Sequence, residues 1–407
     1  MASKVLVLDN GGCAIKAGYA GQENPKRITP NALARGKRDK KLYVGEKILG
    51  SPLAEYILAR PSQKGLVLDW ECQKLIWENG LFVRDKSGQS FNVLPEAESS
   101  TLVVTIAQFT PNSVKREMLE VLFKDYRFNR VVLIESTLSA QFSPGITSQF
   151  TKDDWENPCG LIIDVGFSAT TIVPVFNTLP VLKASLRIPV AGRVLNNLLR
   201  ERLAYLQVDL DDNPLLIQHI KESVCRVAPV SLPDALNDLK RTAPNDSLGY
   251  VLPNFSTPSP SFVGTVVDTP AEVPQDSQAV KIGADRFAVP EALFNPLSFG
   301  IDKLGLVEAV TRSVSKCDAC IRDAVARKII VVGGTVLLPG FLQRFQNELE
   351  SALRTVAHVD AVRLLVEPDG RTDLSVWRGA SQLASSEENL SYLGAIYREE
   401  WDNNTVS

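Results

Sequence analysis

The feature that most constrains the fold is a short apolar strand that ends in Asp-x-Gly and that occurs twice. Residues 5–8 run into Asp9-Asn10-Gly11-Gly12, and residues 161–163 run into Asp164-Val165-Gly166. A second short strand-like run follows each turn, which predicts a β-hairpin in both places. Strands with continuous apolar cores favour sheets that are covered on both faces. Two such units far apart in one chain therefore predict two related α/β domains with a cleft between them.

A third strand with a glycine-rich ending lies in the second half of the chain. Residues 328–332 run into Gly333-Gly334-Thr335, and apolar residues at helical spacing then follow over 341–353. Residues 253–278 differ, because they are rich in Pro, Ser, Thr and Val and show no clear period. We interpret that segment as an irregular insertion. Further helices are predicted over 112–125, 192–206, 213–227 and 303–325.

Length and charge exclude several classes of protein. The 407 residues exceed the usual size of one hydrophobic core, so at least two domains are expected. A net charge of −3 argues against a globally basic nucleic-acid binder. Residues 37–41 form a local basic run, which is either a solvated loop or a contact for DNA or an acidic partner. We find neither a secretory signal nor an apolar stretch long enough to span a membrane.

The number and spacing of the cysteines and histidines limit which metal sites and catalytic groups the chain can form. The six cysteines are scattered, which is typical of a reducing cytosol or nucleus. Cys317 and Cys320 form a CxxC, but no second ligand pair with that spacing is present. We interpret them as two cysteines on one helix. With only two histidines, a Ser-His-Asp hydrolase or a His-rich metal enzyme is not expected.

The glycine-rich turns are candidate phosphate-binding loops. A turn after a strand can point backbone N–H groups at a phosphate. In the first turn Lys16 could reach a phosphate oxygen, and Asp9 could hold Mg²⁺ through water molecules. One such turn is a weak indication, since tight hairpins need glycine for their geometry. Three of them in order predict phosphate contacts from both domains and a nucleoside contact from Gly333-Gly334-Thr335.

These turns belong to a longer series of motifs that resembles the actin superfamily. The series spans nearly the whole chain and includes residues 8–11, 16–21, 43–46, 64–67, 191–193, 220–222, 286–294, 332–335 and 375–377. The resemblance implies an α/β protein with an actin-like fold of two related α/β domains around a nucleotide cleft. Each domain would be a five-stranded sheet flanked by helices, with an extra small subdomain. Subdomain 1 would comprise residues 1–29, 61–142 and 371–407, subdomain 2 residues 30–60, subdomain 3 residues 143–190 and 302–370, and subdomain 4 residues 191–301 with the insertion.

The same resemblance implies a nucleotide site. It assigns ATP or ADP to the cleft, with Mg²⁺ held through water by Asp9 and Asp164. A nucleotide-free cleft, in which the turns are purely structural, stays open as the alternative. The nucleotide-binding residues would be Asp9, Gly11, Gly12, Cys13, Lys16, Asp164, Gly166, Lys221, Glu222, Gly333, Gly334 and Thr335.

Departures from the actin pattern argue against ATP hydrolysis. Gly12 replaces a phosphate-binding serine, and Cys13 replaces a glycine of the first loop. In the second loop Phe167 replaces an acid and Thr171 replaces a histidine, while Glu135 falls where actin has the glutamine that orients the attacking water. Phosphoryl transfer depends mostly on positioning and on charge stabilisation. We therefore expect little or no turnover.

Two further segments, residues 250–257 and 286–296, resemble the subfamily of actin-related protein 6. This resemblance implies a non-catalytic structural and interaction subunit of an SWR-type chromatin-remodelling complex, which exchanges a histone variant into nucleosomes. The implied partners are a Snf-family ATPase, a zinc-finger HIT subunit and RuvB-like AAA+ ATPases, with nucleosomal DNA or histones close by and no membrane. The expected location is the nucleus, with the cytoplasm as an additional location.

Two other functions stay open at this point. A small-molecule kinase or ATPase is conceivable because sugar kinases share the duplicated fold, but it needs a carboxylate base in the cleft, for which Glu135 is the one nominee. A cytoskeletal actin-related protein needs an apolar mobile loop before Tyr43, whereas residues 35–42 are short and charged. We therefore expect a chain that does not form filaments and is held by other proteins. The insertion at 253–278 is either a partner surface or a solvated loop.

Overall fold

The computed structural model describes residues 5–49, 55–82, 100–206, 210–242, 247–254, 263–269, 272–274 and 277–405. In chain order its strands are β1 Val5–Asn10, β2 Ala14–Tyr19, β3 Arg27–Pro30, β4 Leu33–Gly36, β5 Leu42–Val44, β6 Tyr56–Ala59, β7 Ser62–Gln63, β8 Leu66–Val67, β9 Thr101–Ile106, β10 Arg130–Glu135, β11 Gly160–Val165, β12 Thr170–Phe176, β13 Leu179–Pro180, β14 Leu186–Ile188, β15 Leu248–Val251, β16 Thr265–Val267, β17 Ala279–Ile282, β18 Lys328–Val332, β19 Arg363–Leu365 and β20 Ile396–Tyr397.

The helices alternate with these strands along the chain, and several of them pack on the two larger sheets. They are α1 Glu46–Leu49, α2 Trp70–Gly80, α3 Asn112–Glu120, α4 Ser136–Ala140, α5 Pro144–Thr147, α6 Lys152–Glu156, α7 Gly192–Tyr205, α8 Pro214–Val224, α9 Leu232–Thr242, α10 Asp285–Glu291, α11 Leu306–Ser315, α12 Ala319–Arg327, α13 Phe341–Ala357, α14 Ser375–Leu383, α15 Glu387–Tyr392 and α16 Arg398–Thr405.

The first large sheet contains the first Asp-x-Gly hairpin and has the strand order β20-β10-β9-β1-β2-β3. Strand β1 pairs antiparallel with β2, as the hairpin prediction required, and parallel with β9. Each of the two large sheets has six strands rather than the expected five. In the first, the additional strand is β20, a two-residue edge strand that pairs with the start of β10. So short a pairing leaves no period in the sequence that could predict it.

The second large sheet contains the second hairpin and has the order β13-β12-β11-β18-β19, with β14 also paired to β12. Strands β11 and β12 form the expected antiparallel hairpin, and β18 runs parallel to β11. In that register Asp164 lies opposite Val332. The second Asp-x-Gly turn and Gly333 are therefore brought to the same edge of the sheet. The fold is the predicted actin-like arrangement of two related α/β domains.

Two smaller sheets lie in the ranges that the sequence assigned to subdomains 2 and 4. Strands β5-β4-β6 form the first, and β16-β15-β17 form the second. The second sheet corrects part of the insertion prediction, because β16 lies within residues 253–278 and pairs with β15. Other parts of that segment, and part of residues 250–257, lie outside the described residues. The exact subdomain boundaries stay predictions.

Helix predictions were accurate except at two places. The segment predicted as one helix over 303–325 forms α11 and α12, because Asp318 adopts an extended conformation (φ −59°, ψ 144°) and starts a new helix. The helix predicted over 112–125 is α3 followed by one π-helical turn at 121–125. Helices α11 and α13 pack on the second sheet in a core that includes Leu161, Val310 and Phe345. That core holds the second and third turns rigidly.

Candidate functional site

The structure brings the three glycine-rich turns to one cleft between the two large sheets. The cleft has a volume of about 550 Å³. Its lining includes every residue that the sequence assigned to the nucleotide site, namely Asp9, Gly11, Gly12, Cys13, Lys16, Asp164, Gly166, Lys221, Glu222, Gly333, Gly334 and Thr335. A cleft of this size suits a small organic ligand. That these residues bind a nucleotide stays a prediction.

The first turn is held by charge. Lys16 Nζ donates to Asp9 Oδ2 at 2.8 Å, and Thr105 Oγ1 donates to Asp9 Oδ1 at 2.7 Å. Burial by itself lowers the pKa of Lys16, but the negative charges of Asp9, Asp373 and Asp164 outweigh burial and leave that pKa raised. Lys16 is therefore a permanent cation in the cleft, as a phosphate ligand requires.

The second turn presents a carboxyl group without a hydrogen-bond partner in the described part of the chain. Burial and the nearby charge of Asp9 raise the pKa of Asp164 to about 7, although Lys16 and Arg187 partly offset them. Burial in turn lowers the pKa of Arg187, whose guanidinium also donates to the carbonyl of Lys64 across the cleft. The floor of the cleft therefore favours an additional positive charge beside Asp164.

The third turn packs closely against the second turn. Gly333 has φ +108°, and a Cβ there would lie 2.4 Å from the carbonyl oxygen of Val165. Thr335 Oγ1 donates to the carbonyl of Gly166 at 2.7 Å. Glycine at 333 is therefore required both by the backbone conformation and by the close approach of the second turn.

Lys221 and Glu222 lie on α8 at the side of the cleft expected to face the nucleoside. Burial lowers the pKa of Lys221, which Glu222 partly counteracts. The two charged groups are 3.9 Å apart, and Gln218 Nε2 donates to Glu222 Oε1 at 3.0 Å. Gln218 also hydrogen-bonds with the Cys13 thiol, so α8 contacts the first turn directly.

The sequence departures have identifiable structural consequences. A Cβ at Gly12 would lie 2.4 Å from Ser168 Oγ, so a hydroxyl of the second loop occupies the space beside the position where actin has its serine. Phe167 packs under the guanidinium groups of Arg60 and Arg193, and Thr171 lines the cleft. The second loop therefore carries an aromatic contact where the actin pattern has an acid.

Glu135 is engaged away from the cleft. Gln108 Nε2 donates to one of its carboxylate oxygens at 3.2 Å, and Lys115 Nζ lies 3.9 Å from the other. Gln108 lines the cleft while Glu135 is absent from its lining. The carboxylate nominated as a general base is thus paired with a cation outside the cleft.

The donor set suits a magnesium ion held through water. Both oxygens of Asp9 already accept a hydrogen bond, and Asp164 is the unpartnered carboxyl beside it. No group of three or more His, Cys, Asp or Glu side chains that could hold a metal directly occurs among the described residues. Mg²⁺ retains much of its water shell in such sites. A hydrated Mg²⁺ would supply charge neutralisation at the phosphates, and Asp164 would orient its water molecules.

Sequence reasoning missed several polar side chains of the cleft, among them Thr105, Arg187 and Asp373. Thr105 had a detectable signal, since it interrupts an otherwise apolar strand and lies opposite Asp9 in the parallel register. Arg187 and Asp373 come from a hairpin and a loop that no local pattern connects to the cleft. Their positions follow only from the packing of distant segments.

Other sequence predictions concern regions away from the cleft. Cys317 is buried and Cys320 is exposed, and both are free thiols. They lie in the turn between α11 and α12 and at the start of α12, rather than on one helix face. Among the described helices, none is long and apolar enough to cross a membrane.

Two α/β domains whose Asp-x-Gly hairpins face one cleft, closed by a third glycine turn, define the class of actin-fold proteins. The sequence model of the family described as Actin matches residues 1–216 and 210–407. The chain therefore belongs to the actin family.

The most informative relatives are actin-related proteins of one type. The chain is 31% identical to actin-related protein 6 of Drosophila melanogaster over 408 residues, which cover 98% of each protein. It is 30% identical to the actin-like protein ARP6 of Yarrowia lipolytica, over 90% of this chain and 88% of that protein. It is 29% identical to actin-related protein 6 of Arabidopsis thaliana, over 98% and 97% respectively. The chain is thus similar to these proteins along its whole length.

Proposed function

We propose that this chain is a non-catalytic structural and interaction subunit of an SWR-type chromatin-remodelling complex that exchanges a histone variant into nucleosomes. It acts in the nucleus. Its partners are a Snf-family ATPase, a zinc-finger HIT subunit and RuvB-like AAA+ ATPases, with nucleosomal DNA or histones close by. The support is the full-length similarity to proteins named actin-related protein 6, together with a cleft that keeps its architecture but has lost polar groups.

The observation that carries the non-catalytic part is that Phe167 and Glu135 supply no catalytic group to the cleft. Phe167 is held under Arg60 and Arg193, and Glu135 is paired with Lys115. Neither position then supplies a base or a water-orienting group to the cleft. Because phosphoryl transfer needs a positioned nucleophile, these replacements favour binding without turnover. They also disfavour a small-molecule kinase, which needs a carboxylate base that faces its acceptor.

We propose that the cleft binds ATP or ADP with Mg²⁺. Lys16 would contact a phosphate, the backbone N–H groups of the first two turns would surround the phosphates, and the side of the cleft formed by α8 would contact the nucleoside. The support is the convergence of all three turns on one cleft with a cationic Lys16 at its floor. A nucleotide would also bring Mg²⁺, whose charge would add to that of Lys16 and Arg187 beside the carboxyl of Asp164.

The charged loop before Tyr43 supports a subunit that does not form filaments. Lys37 forms an ion pair with Asp212, and Arg38 forms one with Glu55. These pairs place charge, not an apolar side chain, at the tip between β4 and β5. Charged groups lose hydration on burial, so this loop is a poor apolar contact for a second copy.

The deciding experiment is purification of the native chain from its own cells, followed by mass spectrometry and nucleotide extraction. We expect a stable complex that contains a Snf-family ATPase and RuvB-like ATPases, and bound ADP or ATP in stoichiometric amount. Purification of the chain without such partners would contradict the proposed subunit role. Turnover of ATP by the isolated chain, or a filament that pellets, would instead support an enzyme or a cytoskeletal protein.

A matched pair of variants separates nucleotide binding from assembly. Lys16→Met is expected to abolish bound nucleotide, whereas Arg241→Gln, on the exposed end of α9, is expected to keep it. If the Lys16 variant retains nucleotide in full, the proposed site is wrong. If it loses nucleotide and still joins the complex, the cleft is dispensable for assembly.

A further inference from the structure

A second pocket, of about 320 Å³, lies on the other side of Phe167 from the nucleotide cleft. Residues 58–63 form one wall, and α7 forms the opposite wall. Phe167 lines both cavities and so separates them. The pocket therefore lies between the predicted subdomain 4 and the segment that joins subdomains 2 and 1.

Two arginines of this pocket lie over the same aromatic ring. The Cζ atom of Arg60 is 4.8 Å from the centre of the Phe167 ring, and that of Arg193 is 5.2 Å from it. Arg60 donates to the carbonyl of Cys13 at 3.0 Å, and Arg193 donates to the carbonyl of Ser62 at 3.3 Å. These contacts orient both guanidinium groups but leave their charges unneutralised, because carbonyl groups carry no net charge.

No carboxylate of the described residues forms an ion pair with Arg60 or Arg193. Burial lowers the pKa of Arg193, and the positive charge of Arg60 lowers it further. A third arginine of the pocket, Arg200, is paired with Asp211 at 3.5 Å. The charged side chains that line the pocket thus leave an excess of two positive charges. Two half-buried cations of like charge are costly unless an anion joins them.

Two side-chain amides add hydrogen-bond donors to the pocket. Asn196 and Asn197 lie on the wall formed by α7, and their amide groups can donate to an oxyanion. Ser62 also lines the pocket, but its Oγ atom is buried and lies 3.3 Å from where a Cβ at Gly12 would be, so this hydroxyl faces the first turn.

We propose that this pocket binds a phosphate-class dianion, either inorganic phosphate or a phosphate monoester, between Arg60 and Arg193. The two uncompensated charges match a dianion, and a guanidinium group can present two parallel donors to a phosphate. A single carboxylate would neutralise only half of the excess charge. Because Arg60 and Arg193 belong to opposite walls, the bound anion would add a link between the two sides of the pocket. The inference does not depend on nucleotide binding in the larger cleft.

The test measures inorganic phosphate binding to the full chain by isothermal titration and thermal unfolding, at constant ionic strength set with chloride. We expect saturable binding of phosphate and of glycerol 3-phosphate, and much weaker binding of acetate. Arg193→Gln should weaken phosphate binding by roughly tenfold or more, since a hydrogen bond to a charged group is lost. Arg193→Lys should recover part of the affinity, because lysine restores the positive charge but cannot present two parallel donors to the phosphate. Equal affinity for phosphate and chloride would overturn the proposal.

Two controls keep the outcomes distinct. Lys16→Met removes the cation of the nucleotide cleft and so reports any phosphate that binds there, while Arg241→Gln removes an exposed charge and should leave phosphate affinity unchanged. If Lys16→Met abolishes phosphate binding and Arg193→Gln does not, the phosphate binds in the nucleotide cleft and the proposal is wrong. If acetate or an acidic peptide binds as tightly as phosphate, the pocket recognises carboxylates and the assigned ligand class is wrong.

If phosphate monoester binds tightly and inorganic phosphate weakly, the physiological ligand is a phosphorylated molecule rather than free phosphate. The reverse order would identify free phosphate. Both results support the dianion site and differ only in the source of the phosphate group. The thermal midpoint of each variant without ligand shows whether that variant folds. If Arg193→Gln does not fold, phosphate binding by Arg193→Lys decides the test.

Discussion

The two Asp-x-Gly hairpins have nearly the same local sequence pattern but are stabilised in different ways. In the first, Asp9 is neutralised by Lys16 and bonded to Thr105. In the second, Asp164 has no hydrogen-bond partner among the described residues, and its turn is fixed by close packing against Gly333 instead. One turn is therefore held by charge and the other by shape.

This difference shows how one motif can serve two roles in the same cleft. The charge-held turn provides a constant cation, Lys16, at the position expected for a phosphate. The shape-held turn provides a carboxyl group whose pKa of about 7 makes its charge dependent on pH and on a nearby cation. The four predictions below test this comparison, from the largest expected effect to the smallest.

The largest effect concerns the pH dependence of stability that Asp164 causes. Its pKa is about 7 in the folded chain and near the ordinary 3.8 in the unfolded chain, so the folded state holds a proton that the unfolded state releases. The free energy of unfolding should therefore fall as the pH rises from 4 to 7, by at most about 4 kcal/mol, and level off above 7. Asp164→Asn should lack this fall, as measured by denaturant unfolding at several pH values.

A matched control for this prediction is Asp369→Asn. Its hydrogen bond with Arg378 lowers the pKa of Asp369 to about 2, so that group stays charged in both states above pH 5. The control should shift stability by an amount that does not vary between pH 5 and 8. If the free energy of unfolding varied with pH in the same way for Asp164→Asn and for the unaltered chain, the charge of Asp164 would not destabilise the second turn.

The second prediction tests whether shape holds the second turn. Gly333→Ala should lower the free energy of unfolding by about 3 kcal/mol, because it adds backbone strain and a clash with Val165. Gly370→Ala is the control, since Gly370 has φ +75° and open space around it, so it should cost only about 1 kcal/mol. If urea unfolding showed that Gly333→Ala and Gly370→Ala lower the free energy of unfolding equally, the close approach of Gly333 to Val165 would contribute nothing to stability.

The third prediction tests whether charge holds the first turn. Lys16→Met removes the charged hydrogen bond that Lys16 donates to Asp9 and should cost about 2 kcal/mol in the free energy of unfolding. The double variant Asp9→Asn with Lys16→Met removes both charges and should regain most of that loss. A double variant no more stable than Lys16→Met alone would contradict a turn held by the ion pair.

The smallest effect is expected from Glu135→Gln, which restores the residue type of actin at that position. Glu135 accepts a hydrogen bond from Gln108 and forms an ion pair with Lys115, and glutamine can keep the first contact, so stability should change by less than about 0.5 kcal/mol. No ATP turnover should appear in a phosphate-release assay. Turnover above background would show that Glu135 alone suppresses hydrolysis and that the changed second loop is unimportant.

Much of the cleft was predictable because its residues lie in short motifs next to strands. Asp9, Asp164 and Gly333 each end an apolar strand, and the carboxyl ends of parallel strands lie at one edge of a sheet. The sequence could not predict Arg187 or Asp373, since neither belongs to a motif that reaches the cleft. It also could not predict strand β20, whose pairing depends on the chain returning from its far end.

Phe167 illustrates the limit of reasoning from a pattern alone. In the sequence it is only the loss of an acid from the second loop. In the structure it separates two pockets and supports two guanidinium groups, one from each wall. A contact between residues 60, 167 and 193 is not visible in any local period, because each residue lies in a different element.

By itself, the sequence determined the two hairpins, the third turn, the main helices and membership of the actin family. These features follow from local backbone preferences and from motifs read along one segment. The tertiary structure alone decided which acid is neutralised, which glycine is sterically required and where uncompensated arginines meet. Charge balance and close packing depend on distances between distant segments, and those distances exist only after the chain has folded.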